Sequence, residues 1–457
     1  MKDTIVAIAT GMGNSGIGII RISGDEAISI ADKIFVANNS SKKLSTMESY
    51  TAAYGLISYE NEIYDEAIAL VMKAPKSYTT EDVVEFDCHG GIIILKRIVE
   101  LVISLGARIA EPGEFTKRAF LNGRIDMSQA ESIMDLIHSK NEMAVKSSIK
   151  HLRGSLKNEI TTIREKLLYN IAYIESALDD PENYSLDGYS DKLRNDVDNM
   201  LISIKNLLKT SENGRIMTEG IKTVIVGKPN AGKSSVLNML LGEERAIVTD
   251  VEGTTRDTLE ECINMDGITL NIVDTAGIRD TNDIVEKIGV DKAIDTIDDA
   301  DLILYIVDGS ISLNENDEKI IESIKGKTVI TLINKNDLEN NVDTMWITSR
   351  LDTDLVYISA KNHTGKKELS DLIKSKFLNN DISYNDELYI TNLRHKNLLS
   401  DCIEALEKVI ESIDMQMGED FFTIDMMQAY SSLGKISGEE LEDDIVNKIF
   451  EEFCMGK

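Results

Sequence analysis

Short apolar runs and polar turns alternate through the first 120 residues of the chain. Branched apolar side chains in short runs predict strands, and a longer amphipathic stretch at 92–105 predicts a helix. The runs that predict strands are 4–10, 17–22, 67–72 and 83–87. We therefore expect an α+β domain over residues 1–122.

The pattern becomes helical from residue 127, where apolar residues recur at three- and four-residue spacing. The recurring residues include Ile133, Leu136, Ile137, Ile160, Ile163 and Leu167. A polar segment at 179–190 interrupts the pattern, which returns from residue 388 to the end. These two stretches predict a helical domain in two parts, 123–218 and 381–457.

Strands and helices alternate between the two helical stretches. A short buried strand at 221–226 begins the alternation, which continues to about residue 377. This alternation is typical of a doubly wound α/β domain. We therefore predict a multidomain fold, α/β plus all-α, in which an α/β domain at 219–380 is inserted between the two parts of the helical domain.

Composition restricts the environment and the partners of the chain. The formal net charge is −30, from 79 acidic and 49 basic residues, so the chain as a whole repels a phosphate backbone. The acidity is either a solubility feature or a sign that a local patch or a basic partner holds any RNA. The four cysteines form no CxxC pair, which favours a reducing cytosol. We expect no membrane span, because no apolar run approaches about 20 residues, and no signal peptide.

A phosphate-binding loop follows the first strand of the central domain. Residues 227–234 read GKPNAGKS and match GxxxxGK[ST], between a strand-like run and a helical segment. Glycines let backbone N–H groups turn towards phosphate oxygens, and the N-terminus of the following helix adds its positive dipole. We expect Lys233 to contact the β- and γ-phosphates and Ser234 to ligate Mg²⁺.

Three further motifs indicate that the nucleotide is a guanine nucleotide. A DxxG at 274–277 can bind Mg²⁺ through water and can sense the γ-phosphate through the Gly277 N–H. In the NKxD at 334–337, Asp337 can accept from two N–H groups that guanine has and adenine lacks. The SAK at 359–361 can offer a backbone N–H to guanine O6. The central domain is therefore predicted to be a Ras-like P-loop GTPase domain.

The loops around the γ-phosphate depart from the chemistry of Ras. Thr255, in the GTTRD at 253–257, is predicted to complete Mg²⁺ coordination. Ile278 follows the DxxG where Ras has its water-orienting glutamine, and a hydrocarbon cannot orient water. Another group must do so, and the transition state still needs a cation. Acidic residues of the same loop, including Glu286, are candidates for orienting the water. Residue type alone would instead favour carboxylates that only contact solvent.

A second glycine-rich segment, GMGNSG at 11–16, matches GxGxxG after a strand, with Asp32 about twenty residues later. A dinucleotide fingerprint must open a helix, but the following residues 17–22 are strand-like. A hairpin turn is therefore the favoured interpretation.

These segments together resemble one family, the tRNA modification GTPases called MnmE or TrmE, over essentially the whole chain. The segments that carry the resemblance are 3–24, 77–91, 111–131, 228–235, 247–257 and 274–289, and the CxGK at 454–457. The EPGEFTKRAFLNG block within 111–131 and the CxGK end are highly specific to this family.

The resemblance implies a potassium-dependent GTP hydrolase that modifies C5 of the wobble uridine of certain tRNAs with a carboxymethylaminomethyl or aminomethyl group. The implied one-carbon donor is 5-formyltetrahydrofolate or another tetrahydrofolate, bound by the N-terminal domain. The implied partner is the flavin- and NADH-dependent protein MnmG (GidA), which would hold most of the tRNA. The family also implies a cytoplasmic homodimer in which GTP hydrolysis drives dimerisation of the GTPase domains and a conformational change.

The family's GTPase residues carry over to matching positions. Glu286 matches the catalytic glutamate that polarises the attacking water. Asn230 matches a potassium ligand, and the resemblance adds Thr249, Val251 and Thr254 to that set. The predicted GTP-binding residues are Asn230, Ala231, Gly232, Lys233, Ser234, Ser235, Thr249, Asp250, Val251, Glu252, Gly253, Thr254, Thr255, Asp274, Thr275, Ala276, Gly277, Asn334, Lys335, Asp337, Ser359, Ala360 and Lys361.

The folate and tail residues carry over in the same way. Arg21, Glu85 and Arg124 match positions near the folate pocket, and Lys457 completes it from the tail. Folates carry carboxylates and a pterin amide edge, which suit cationic side chains and a carboxylate acceptor. Cys454 matches the tail cysteine that modification needs. The loop at 11–15 departs from the Pro-Pro and Gly/Arg-rich pattern of relatives, which leaves pocket detail open.

Two other functions share the nucleotide motifs. A ribosome-assembly GTPase of the Era or Der type would carry a KH or basic RNA-binding domain, and this chain has no GxxG loop in a basic context. A nucleotide-switched binding module would use hydrolysis only as a timer. A substitution of Glu286 discriminates between such a switch and an enzyme.

Overall fold

The computed structural model describes most of the chain in two compact units. The described residues are 3–38, 43–242, 261–273, 297–377, 388–439, 441, 443–451, 453 and 456. The first unit comprises Met1–Met134, His151–Val197 and Glu404–Lys457, and the second comprises Asp135–Lys150 and Asp198–Ile403. Each unit is therefore assembled from segments that are separate in the sequence. The predicted domain boundaries stay predictions.

A seven-stranded sheet organises the N-terminal part of the first unit, with the strand order β3-β4-β5-β6-β2-β1-β7. Its strands are β1 (Ile5–Ile8), β2 (Ser15–Ser23), β3 (Phe35–Ala37), β4 (Thr51–Tyr59), β5 (Glu62–Met72), β6 (Val83–Gly90) and β7 (Arg108–Ile109). All neighbours are antiparallel except β1 and β7. Helices α1 (Ala27–Ile34) and α2 (Ile92–Ser104) bury one face of the sheet in an apolar core. The predicted α+β character is confirmed.

The glycine-rich segment at 11–16 connects two antiparallel strands. Residues 15 and 16 already belong to β2, which pairs with β1 so that Ala7 faces Arg21. The Asp32 carboxylate accepts the backbone N–H of Leu44 at 2.6 Å and so has a local structural role. No helix follows these glycines within the described residues 11–23, so the hairpin interpretation is confirmed.

Helices from both flanks of the central domain pack together in the first unit. The helices of the two units are α3 (Glu114–Leu121), α4 (Met127–His138), α5 (Glu142–Leu152), α6 (Ser155–Asp179), α7 (Tyr189–Lys209), α8 (Ser211–Glu219), α9 (Lys233–Leu241), α10 (Glu315–Ile324), α11 (Thr344–Thr348), α12 (Lys366–Phe377), α13 (Leu393–Asp414), α14 (Glu419–Ser437) and α15 (Asp443–Glu451). Helix α6 packs along α14, where Arg164 donates to both carboxylate oxygens of Glu439 at 2.6 and 2.7 Å. A helical domain built from two chain segments requires such a contact.

The second unit contains a six-stranded sheet with the order β13-β12-β11-β8-β10-β9. The strands are β8 (Ile221–Val226), β9 (Glu261–Met265), β10 (Ile268–Ile272), β11 (Leu302–Asp308), β12 (Val329–Asn334) and β13 (Thr353–Tyr357). Only β9 and β10 are antiparallel, and separate apolar cores cover the two faces. The chain order reverses at β8, and ligands of such sheets bind at the carboxyl ends of strands beside such a reversal. The predicted α/β texture is confirmed.

Among the described residues, no helix combines the length and the apolar character needed to cross a membrane.

A buried arginine joins α3 to the rest of the first unit. Arg118 is 1% exposed and donates to the carboxylates of Glu114 at 3.0 Å and Glu81 at 3.1 Å. It also donates to the carboxylate of Asp3 at 3.0 Å. Burial of a guanidinium is tolerated because several charged acceptors satisfy its donors. Arg118 and Glu114 lie inside the EPGEFTKRAFLNG segment, which this network joins to Asp3 and Glu81.

Replacing Arg118 by methionine should lower the free energy of unfolding by about 3–5 kcal/mol, because the largely buried carboxylate of Glu81 loses this cation, while Glu114 retains its pair with Arg108. Urea denaturation of the full chain measures this change. Arg97→Met is the matched control, since Arg97 pairs with Glu62 on an exposed surface, where both side chains are half accessible. The control should change stability little. Equal effects of the two substitutions would contradict the role of the buried network.

Candidate functional site

The backbone conformation of the phosphate loop requires glycine at two positions. Gly232 and Asn230 lie in the left-handed region, with φ of +99° and +64°. A Cβ on Gly232 would lie 2.3 Å from Nδ2 of Asn334, and one on Gly227 would lie 2.4 Å from the carbonyl oxygen of Ile306. Only glycine fits at these two positions, because neighbouring groups of the sheet approach the loop closely.

Lys233 lies inside this loop at the first position of α9. Its ammonium donates to the carbonyl oxygens of Gly227 at 2.8 Å and Lys228 at 3.1 Å. Burial lowers the pKa of Lys233. Ser234 and Ser235 follow in the first turn of the helix, half-buried and exposed respectively. The loop therefore brings a cation, a hydroxyl and the free N–H groups of a helix N-terminus together, as phosphate binding requires.

Asn334, at the carboxyl end of β12, connects the phosphate loop to the SAK loop. The side chain is 2% exposed, and its Nδ2 donates to the carbonyl oxygen of Ala231 at 3.0 Å. Its Oδ1 accepts the backbone N–H of Ala360 at 3.2 Å. One amide thus holds together two loops that are separated by more than a hundred residues in the sequence.

The remaining guanine-motif residues are held in a polar network beside Asn334. The hydroxyl of Ser359 donates to Asp337 at 2.7 Å, and this bond lowers the pKa of the Asp337 carboxyl. Lys335 has a φ of +64°, and its ammonium donates to Asp308 at 2.5 Å. Lys361 is exposed at the edge of the same loop. Asp337 is therefore a charged acceptor that is oriented before any base arrives.

The structure brings one group of the predicted GTP-binding residues together. Residues 230–235, 334–337 and 359–361 meet at the carboxyl ends of β8, β12 and β13, as their motifs predict. The predicted residues outside the described ranges are Thr249, Asp250, Val251, Glu252, Gly253, Thr254, Thr255, Asp274, Thr275, Ala276, Gly277, Glu286, Cys454 and Lys457. In the part of the chain that the structure describes, no three His, Cys, Asp or Glu side chains form a metal cluster.

A second candidate site lies in the first unit, around Arg21. Arg21 faces Glu85 across β2 and β6, and its Nε donates to that carboxylate at 2.6 Å. Its Nη1 donates to the carbonyl oxygen of Gly456 at 3.2 Å. Gly456 has a φ of +87°, and a Cβ there would lie 2.3 Å from the carbonyl oxygen of Ile8. A residue of the CxGK motif therefore packs beside two predicted folate residues.

Tyr78 is a member of this second site that sequence reasoning missed. The guanidinium of Arg124 lies 4.7 Å from the centre of its ring, and that of Arg21 lies 5.5 Å away. Arg124 also donates to the backbone carbonyl of Tyr78 at 3.0 Å. The Tyr78 hydroxyl bonds to Thr116 in α3 at 2.9 Å. Tyr78 lies in segment 77–91, which carries part of the family resemblance, and this was the one sign of it in the sequence analysis. The packing is what shows both arginines beside its ring.

Comparison with known proteins identifies the family. The profile described as "GTP-binding protein TrmE N-terminus" matches residues 4–124, and the profile "MnmE helical domain" matches residues 127–454. A tRNA modification GTPase MnmE from Lachnoclostridium phytofermentans is 53% identical over 455 residues, 100% of this chain and 99% of that protein. The protein of the same name from Acetivibrio thermocellus is 46% identical over 459 residues, with 100% and 99% covered. The chain belongs to the MnmE family.

As a member of the MnmE family, the chain is a GTP hydrolase. Among solved structures, the G domain of the T. maritima FeoB iron transporter is similar, with 26% identity. The match covers 34% of this chain and 97% of the FeoB domain, with a TM-score of 0.26. The two profiles together span the nucleotide loops and the site around Arg21, except for Gly456 and Lys457.

Replacing Gly232 by alanine should weaken GTP binding by about tenfold or more, because the new Cβ displaces Asn334 and strains the loop. Titration with a fluorescent guanine nucleotide measures the affinity. Gly326→Ala is the matched control, because Gly326 also has a positive φ, +79°, but no atom lies within 4 Å of its would-be Cβ. The control should cost about 1–2 kcal/mol of stability and retain binding. Equal affinities of both variants would contradict the steric argument.

Proposed function

We propose that this MnmE family member is a potassium-dependent GTPase that modifies C5 of the wobble uridine of certain tRNAs, adding a carboxymethylaminomethyl or aminomethyl group. One contact supports the proposed role in tRNA modification: Arg21 donates to both Glu85 and Gly456. This contact brings the C-terminal motif beside the Arg21–Glu85 ion pair of the N-terminal domain. A GTPase used only as a switch has no need of that arrangement.

Guanine recognition follows from the oriented acceptor and donors. Asp337 accepts from the N1–H and the amino group of guanine, and one backbone N–H of the loop at 359–361 donates to O6. Adenine offers neither pattern. The phosphates lie in the loop at 227–234, where phosphate oxygens replace the carbonyl groups that Lys233 contacts.

The proposed hydrolysis uses residues of the loops beyond the phosphate loop. Glu286 polarises the attacking water, which Ile278 cannot do because it has no polar atom. Ser234 and Thr255 would hold Mg²⁺, and hydroxyl oxygens suit that ion. Asn230, Thr249, Val251 and Thr254 would hold K⁺. Bound K⁺ supplies positive charge near the transferred phosphoryl group, where other GTPases use an arginine.

The described ligand residues fit these ions. Asn230 is exposed on the loop, and its amide oxygen is the kind of neutral oxygen that K⁺ takes. Ser234 is half-buried in the first turn of α9, next to the phosphate loop. The positive φ of Asn230 is one that asparagine tolerates better than most residues.

The cluster around Tyr78 fits a folate. Arg21, Arg124 and Lys457 suit the carboxylates, Glu85 suits the pterin amide edge, and the Tyr78 ring can stack on a flat heterocycle. The proposed ligand is 5-formyltetrahydrofolate or another tetrahydrofolate, which supplies the one-carbon unit. We assign Cys454 to the same site because the CxGK motif that it begins also contains Gly456. Its chemical role is not assigned.

Partners and location complete the proposal. The open face of the first sheet carries the cross-strand pair Tyr54 and Ile68, which are 52% and 42% exposed opposite the helix-covered face. Such a face supports a homodimer. The net charge of −30 supports a division of labour in which the flavoprotein MnmG holds most of the tRNA. The free thiols of Cys88, Cys262 and Cys402 suit a reducing cytoplasm.

Steady-state GTP hydrolysis in KCl and in NaCl at equal ionic strength tests the cation proposal. We expect strong stimulation by K⁺ that Na⁺ does not give, because the ligand oxygens select by size and number. Asn230→Ala should abolish the difference between the salts. Equal slow rates of the unmodified protein in both salts would contradict potassium dependence and would indicate an activating protein that supplies the charge.

Two substitutions should separate hydrolysis from modification. Glu286→Ala should abolish hydrolysis and leave GTP binding nearly intact, because the group acts on water and not on the nucleotide. Cys454→Ser should keep the GTPase rate and stop formation of the modified nucleoside. Nucleoside analysis of tRNA from cells that carry each variant gives the second readout. Surviving hydrolysis in the first variant, or normal modification in the second, would remove that residue from its role.

A further inference from the structure

The second residue of the phosphate loop has an unusual partner. Lys228 is 8% exposed, and its ammonium donates to Asp317 Oδ2 at 2.6 Å. Asp317 is 1% exposed and lies in the first turn of α10. A buried ion pair costs desolvation energy that only close and well-directed contacts offset. Neither the nucleotide motifs nor the proposed chemistry accounts for this pair.

Asp317 is fully engaged by groups around it. Oδ1 accepts from the hydroxyl of Tyr305 at 3.0 Å, and Oδ2 also accepts the backbone N–H of Asn314 at 2.8 Å. The bond to Asn314 belongs to the capping box that begins α10. Tyr305 is completely buried in β11, and burial raises the pKa of its hydroxyl, so it remains a proton donor. These contacts hold the carboxylate in one orientation.

The backbone of Lys228 belongs to the turn that surrounds Lys233. Its carbonyl oxygen accepts the Lys233 ammonium at 3.1 Å and the backbone N–H of Ala231 at 3.2 Å. One end of Lys228 is thus fixed to α10, and the other forms part of the phosphate-binding turn. Movement of the side chain would displace the carbonyl that orients Lys233.

The same segment of chain also reaches the guanine end of the site. Asp317 lies nine residues after Asp308, the partner of Lys335 in the NKxD motif. Between them, the Gly309 N–H donates to the carbonyl oxygen of Asn334 at 2.8 Å. Residues 308–317 therefore contact both the loop that binds the base and the loop that binds the phosphates.

We propose that Lys228, Asp317 and Tyr305 form a tether that holds the phosphate loop in its nucleotide-binding shape. Asp317 is then a positioning residue for GTP, although it does not touch the nucleotide. The inference goes beyond the family's GTPase activity and needs none of the potassium, folate or tRNA proposals. It predicts that loss of the tether weakens nucleotide binding even where the folded state survives.

The test uses the full chain with Lys228→Met, Asp317→Asn and both together. Each single substitution should raise the KM for GTP and the Kd for a fluorescent GDP about tenfold, with kcat changed by less than about twofold. The KM effect dominates because the phosphate contacts act alike on bound GTP and on the transition state. The double variant should resemble the single variants, since either change alone already breaks the tether. Lys228→Arg keeps the charge and should stay close to the unmodified protein.

Thermal unfolding separates positioning from stability. Each single variant leaves one buried charge unpaired and should lose stability, whereas the double variant removes both charges and should recover much of it. Its nucleotide affinity should stay low. Arg215→Met is the control, because Arg215 pairs with Asp301 at 3.0 Å at the opposite end of β11. It should lower stability without changing KM.

Two results would overturn the proposal. Normal KM and Kd values in both single variants, with only a lower melting temperature, would make the pair a stability element alone. Additive losses of affinity in the double variant would show that Lys228 and Asp317 act independently.

Discussion

The amide of Asn334 is the contact on which the geometry of the nucleotide site depends. It donates to the loop after β8 and accepts from the loop after β13, across the end of β11. An asparagine side chain can do both at once, because it carries a donor and an acceptor on one planar group. The missing Cβ of Gly232 leaves room for that amide. The site for phosphates and the site for the base are consequently held at a set separation.

In each unit, a buried charged side chain joins a helix to a separate segment of the chain. Arg118 joins α3 to the loop at 79–82 and to the start of the sheet, and Asp317 joins α10 to the phosphate loop. In both cases several hydrogen bonds satisfy the buried group, which is the condition for tolerating it. Apolar packing of equal volume could stabilise these places as well. Charged hydrogen bonds also fix the orientation of the groups that they join. Arg118 and Asp317 each belong to a segment that carries residues of a candidate site.

Sequence reasoning succeeded where a function depends on neighbouring residues. The phosphate loop, the NKxD and the SAK lie at the ends of β8, β12 and β13, and the hairpin at 11–16 was separated from a dinucleotide fingerprint by the β-branched residues that follow it. It did not find Tyr78 or the partner of Lys228. Tyrosine and lysine are common surface residues, and nothing in their neighbours marks one as a ring beside two arginines or the other as half of a buried pair.

The sequence by itself determined the family, the nucleotide class and the alternation of strands and helices in the central domain, because each rests on residue types in local patterns along the chain. Only the tertiary structure decided which individual groups of distant segments meet. It paired Arg21 with Gly456, Arg164 with Glu439, and Lys228 with Asp317. The physical reason is that such contacts depend on strand order and on helix packing. Burial then determines the energy of an ion pair or a hydrogen bond, and burial cannot be determined from a short stretch of sequence.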